Sequence, residues 1–118
     1  KVTFAAKVIE VDGAPGVKVT FTPLSPQGGN GLENVNRWRQ QLMLPPWTQA
    51  DLDRDGQVVA TEAGPAMVVD LTGGGQKLLG AVLKRPDAVW FVKLSGPTTV
   101  ASPLREPFLE LLRSVRFD

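Results

Sequence analysis

The sequence predicts an α+β domain over residues 1–118: a largely antiparallel sheet of about six strands flanked by two main helices. Three observations carry this. Short apolar runs with a period near two recur along the chain, separated by turns rich in Gly and Pro. Two other stretches place apolar residues three or four positions apart, the spacing of one helix face. The strand runs are mostly joined as hairpins, which give antiparallel sheets, and a helix with one apolar stripe must lie against something that covers it.

Val2 to Val11 alternates well enough for a strand, with Lys7 and Glu10 facing out. Asp12-Gly13-Ala14-Pro15-Gly16 is a turn. Val17 to Thr22 is a second strand, with Val17, Val19 and Phe21 on one face and Lys18, Thr20 and Thr22 on the other. The two should form a hairpin. After a Pro- and Gly-rich loop to Gly31, Asn30 and Glu33 form a capping-box pair. Leu32, Val35, Trp38 and Leu42 then make an amphipathic stripe, and Asn34, Arg37 and Gln41 take the other face. Pro45-Pro46 should end this helix near Leu44. Thr48 with Asp51 suggests a second cap and about one helical turn. Gln57 to Ala63 and Ala66 to Leu71 read as strands paired around Ala63-Gly64-Pro65. Lys77 to Lys84 and Ala88 to Leu94 read as another hairpin around Arg85-Pro86-Asp87. Leu104, Phe108, Leu111, Leu112 and Val115 mark a last helix over 103–114, with Ser102 as cap and Pro103 in first position. Pro107 falls late for a first turn, so an irregular start is expected. Trp38, Leu42, Phe91, Phe108 and Leu112 should be buried.

With 42% apolar residues in 118, the chain can build a core without metals or disulfides. The 13 basic and 12 acidic residues leave a net charge of +1, which argues against a nucleic-acid binder and against electrostatic attachment to a membrane. There is no Cys, His or Tyr. That excludes zinc sites of the Cys/His type and every His-dependent nucleophilic triad. Ser25, Ser95, Ser102 and Ser114 lack a His base, so no enzyme is expected. No apolar run approaches the ~20 residues of a membrane span. The chain opens on Lys1 rather than Met, so a signal peptide or anchor Cys is expected, if present, in a segment ahead of it.

The sharpest motif is Asp51-x-Asp53-x-Asp55-Gly56 with Glu62 at the twelfth position, which fits a calcium loop letter for letter. Asp51, Asp53, Asp55 and Glu62 are therefore the candidate metal ligands and calcium the candidate cofactor. The flanks argue the other way. A strand after Gly56 would carry Glu62 off at about 3.3 Å per residue, so an acidic, solvated turn is expected and no calcium response. Gly28-Gly29-Asn30-Gly31, entering a helix, is a candidate anion cradle. Of Arg37 and Arg39, one is expected to reach a carboxylate such as Asp70 and the other to be exposed. Trp90 and Phe91 should lie on opposite sheet faces, and Trp47 should be partly exposed. Asn34, Asn36, Arg37 and Gln41 are expected to hydrogen-bond neighbouring loops rather than a ligand.

The run Asn34-Val35-Asn36-Arg37-Trp38-Arg39-x-Gln41, with glycines before it and Leu44-Pro45-Pro46 after it, resembles a family of uncharacterised bacterial exported proteins and lipoproteins. Val69-Asp70-Leu71-Thr72-Gly73, then Trp90-Phe91-Val92-Lys93-Leu94-Ser95-Gly96-Pro97, then Ser114-Val115-Arg116-Phe117 follow in the same order as in that family. Two departures stand out: Met43 replaces an expected glycine near the helix end, and Asp53-Arg54-Asp55 is unlike the usual linker. The order of elements is also similar to PsbP-like domains, α-β-α sandwiches that mostly serve as accessory modules. The resemblance implies a non-enzymatic, extracytoplasmic accessory or interaction module for a protein partner or small ligand. It would meet a membrane only through an N-terminal anchor. The alternative is a calcium- or anion-binding domain using the 51–62 or 28–31 segment.

Overall fold

The period-two runs form strands. A computed structural model describes residues 7–11, 13–25 and 31–115. Its strands are β1 (Lys7–Glu10), β2 (Lys18–Leu24), β3 (Gln57–Thr61), β4 (Gly64–Gly73), β5 (Gln76–Lys84) and β6 (Val89–Pro97). They make one antiparallel sheet in the order β1-β2-β6-β5-β4-β3. The β4–β5 hairpin turns on Gly74 and Gly75, with φ of 60° and 77°. Both angles lie in the left-handed region that tight two-residue hairpins require. Residues 2–6 of the expected first strand lie outside the described residues.

The helices are α1 (Gly31–Gln41), α2 (Gln49–Asp55), α3 (Thr98–Ala101) and α4 (Arg105–Arg113), with a 3₁₀ turn at Ser102–Leu104 between the last two. The chain leaves β2 near one edge and re-enters at β3 on the other, so α1 and α2 form its crossing over one face. The helical run after β6 covers the opposite face. Each face has its own apolar cluster. Val19, Phe21, Val68, Leu79, Val92 and Leu94 pack with Phe108, Leu109 and Leu112 of α4. Val69, Leu71, Leu78, Val82 and Phe91 pack with Val35 and Trp38 of α1 and Leu52 of α2. Strand pleating explains the split, since successive side chains go to opposite faces. Trp90 and Phe91 divide in the expected way. β5, covered on both faces, is continuously buried from Leu78 to Leu83, the pattern of a strand between two layers.

Trp38, Leu42, Phe91, Phe108 and Leu112 are all buried. Trp38 lies flat over β5, where a Cβ on Gly80 would stand 2.6 Å from its Cε3; only glycine permits this approach. The Trp38 and Phe91 rings meet edge to face, 6.1 Å between centroids.

Three expectations are corrected. The first helix stops at Gln41 rather than Leu44. Met43 takes φ 58°, and the Leu44 and Met43 amides bond back to the Arg39 and Gln40 carbonyls at 2.9 and 3.0 Å. This left-handed termination ends the helix before the prolines act. The last helix is not continuous over 103–114. Helix begins at Thr98, and Pro103, which has no N–H to donate, falls in the 3₁₀ turn. α4 restarts at Arg105 with Pro107 in its first turn, where an amide would have no helical partner; Ser102 makes no side-chain cap. The acidic run 51–55 is not a solvated turn but part of α2.

Candidate functional site

The polar face of α1 works chiefly on the loop that follows it. Asn36 grips Trp47 from both sides: its Nδ2 donates to the Trp47 carbonyl at 2.9 Å, and its Oδ1 accepts from the Trp47 amide at 2.6 Å. Arg39, 9% exposed, donates from Nε to the Pro45 carbonyl at 2.7 Å. Its guanidinium also stacks 4.4 Å from the Trp47 ring centre, a cation–π contact. A Pro-Pro segment has carbonyls to satisfy and no amides of its own to offer, so the donors come from the helix. Trp47 is half-buried by this arrangement.

The expected loop bonding therefore holds for Asn36. Gln41 is exposed and reaches a strand instead, accepting from Lys93 Nζ at a long 3.4 Å. Asn34 is buried. Arg37 is exposed and forms none of the ion pairs found among the described residues. Neither Arg37 nor Arg39 reaches Asp70, whose carboxylate is held by Lys77 at 2.6 Å and Arg105 at 3.5 Å. The reason is the pleat: Asp70 alternates with Val69 and Leu71, which face α1, and so projects toward α4.

The candidate metal ligands are not brought together as a site. Thr48 and Asp51 form a capping box, with the Thr48 amide on Asp51 Oδ2 at 2.9 Å and the Asp51 amide on Thr48 Oγ1 at 3.2 Å. Asp53 accepts from Gln49 Nε2 at 2.9 Å, and Asp55 pairs with Arg54 at 3.0 Å. Glu62 follows β3, where its backbone amide bonds the Arg113 carbonyl at 3.1 Å. No group of three or more metal-ligating side chains occurs among the described residues. A helix turns about 100° per residue, so carboxylates at alternate positions diverge. Hydrogen bonds from the Thr48 backbone and hydroxyl, with Arg54 nearby, hold the Asp51 carboxyl below its ordinary value. The Arg54 hydrogen bond lowers Asp55 likewise, and Asp55 in turn raises Arg54. Residues 28–30 of the glycine-rich anion candidate lie outside the described residues, and Gly31 opens α1.

Two concavities flank α1. The larger, about 600 Å³, runs between α2 and the β3–β4 hairpin and is lined by Leu32, Leu52, Val58, Met67 and Val82 with Asp53 and Lys84. Val58 is 73% exposed. The smaller, about 150 Å³, lies where α1 leaves β2 and β6 uncovered; its lining includes Thr20, Thr22, Asn34, Arg37 and Lys93. Burial pushes the Lys93 ammonium below its ordinary pKa.

No protein-family model matches the chain, and no curated protein or solved structure matches it either.

Sequence reasoning missed Arg39 as the residue fixing the loop. The available signal was the loop itself: two prolines and a tryptophan six to eleven residues along from an Arg and an Asn on one helix.

Proposed function

We propose that this chain is a non-enzymatic accessory or interaction module acting outside the cytoplasm, with a PsbP-like α-β-α sandwich as its scaffold. One observation carries the reading. Asn36 of α1 is engaged in loop bonding, and the α2 carboxylates are engaged in a capping box, a hydrogen bond and an ion pair, while an apolar groove beside an edge strand is left open. β3 is outermost in the sheet and carries neither Pro nor Lys, two common guards of a free edge. Its Val58 stands in solvent next to the groove. The occupant that fits is an extended segment of a protein partner, which would add main-chain hydrogen bonds to β3 and place side chains over the groove. The extracytoplasmic assignment rests on the resemblance of the Asn34–Gln41 and Trp90–Pro97 segments to exported proteins.

A photo-crosslinking residue at position 58, expressed in the native cell, tests this. One discrete protein adduct at 58, absent when the same group replaces exposed Met43, is the expected result. No adduct, or the same adducts at both positions, overturns it. Fractionation should place the full-length protein in the cell envelope; recovery from the cytosol would remove the localisation.

A further inference from the structure

We propose that the groove between α1, β2 and β6 binds a small oxyanion, a carboxylate or phosphate group, through Arg37 and Lys93. This site is distinct from the β3 groove and does not depend on the interaction reading.

Lys93 and Thr20 are paired across β6 and β2, so their side chains stand together on the α1 face. Thr22 lies two residues along the same strand and the same face. Arg37 approaches from the helix, and Asn34, one turn earlier, contributes a buried amide. Trp38 and Phe91 form the floor. Two cations, two hydroxyls and an amide thus converge on one concavity, and among the described residues no carboxylate lines it. Glu33, one turn before Arg37 on α1, is not among the lining residues.

A half-buried ammonium has given up much of its hydration, and such a group is normally matched by an anion or several acceptors. The partner found for Lys93 Nζ is the neutral Gln41 Oε1, at 3.4 Å. By contrast Lys77, on the other face of the sheet, has a carboxylate at 2.6 Å. An oxyanion in the groove would give Lys93 the missing counter-charge, meet the planar guanidinium of Arg37, and accept from the threonine hydroxyls. A volume of about 150 Å³ sets the size: inorganic phosphate or a short organic acid, well below the ~300 Å³ of drug-sized sites.

The test is an NMR titration of the ¹⁵N-labelled protein with inorganic phosphate and, separately, with acetate and benzoate, using chloride at matched ionic strength as control. Saturable shifts centred on the Thr20, Thr22, Arg37 and Lys93 amides are expected. Saturation by phosphate alone identifies a phosphate site, and saturation by the organic acids alone identifies a carboxylate site. R37Q and K93M should each weaken binding about tenfold or more, since each removes a charge-assisted contact. Both variants should keep the parent's dispersed spectrum, because Arg37 is exposed and K93M keeps an apolar stem of similar length in the sheet. No saturable shift beyond the chloride control, or binding unchanged in folded R37Q and K93M, overturns the proposal.

Discussion

The two faces of the sheet are held in different ways. The α4 face is apolar through its centre: Phe108, Leu109 and Leu112 meet Val68, Leu79, Ala81 and Val92. Its polar contacts include Asp70 with Lys77 and Arg105, and Arg105 with Gln57. The α1 face has a smaller apolar cluster and adds directional bonds, with Asn36 and Arg39 holding Pro45 and Trp47. The two layers can therefore do different things. An apolar stripe positions a helix without reference to particular partners. Hydrogen bonds to a loop fix a surface in one shape, which a recognition face requires, and both grooves open on that face.

The largest expected effect lies on the α4 side. Phe108→Ala should lower unfolding free energy by ~3–5 kcal/mol, measured by urea denaturation. A loss below ~1 kcal/mol would mean the α4 face is not the dry core described. On the α1 side, Asn36→Ala removes both bonds to Trp47 and leaves a half-buried amide unpaired. A cost of about 1–3 kcal/mol is expected, with Trp47 fluorescence shifting toward that of a solvated indole; unchanged fluorescence would contradict the loop pin.

Thr48→Ala should cost about 1 kcal/mol at neutral pH by removing the capping hydroxyl of α2. The Asp51 carboxyl is held below its ordinary value in the folded chain, chiefly by the Thr48 backbone N–H and hydroxyl. A depressed folded pKa stabilises above the unfolded value and loses that contribution as pH falls through the folded value. The part of the Thr48→Ala cost that comes from the hydroxyl donating to the Asp51 carboxylate should therefore shrink in melts below the ordinary carboxylate range. Met43→Gly should raise the melting temperature by the equivalent of at most ~1 kcal/mol, since a non-glycine residue in the left-handed region is strained. Met43 is 93% exposed and contributes no packing to lose.

How much of this could be read in the sequence follows the same division. The α4 stripe and the buried Trp38, Leu42, Phe91, Phe108 and Leu112 were legible because burial against a sheet depends only on periodicity. The early helix end was not, because Met43 gives no sign of a left-handed angle. The acidic run was read as a turn because the letters of a loop motif say nothing of helix. The Thr48–Asp51 pair already implied one, since Asp51 at the third position places 51–55 inside it. Arg39 escaped because its partners are loop carbonyls, whose place depends on how the prolines bend the chain.

The polar residues of α1 divide in function: Asn36 holds the fold, and Arg37 is left for a ligand. Thermal melts of Asn36→Ala and Arg37→Ala, each with and without the oxyanion that binds the parent, test this directly. Asn36→Ala should melt several degrees lower and keep its oxyanion-induced rise; Arg37→Ala should melt within about a degree of the parent and lose the rise. Arg37→Ala melting as low as Asn36→Ala, with the oxyanion response intact, would contradict the account.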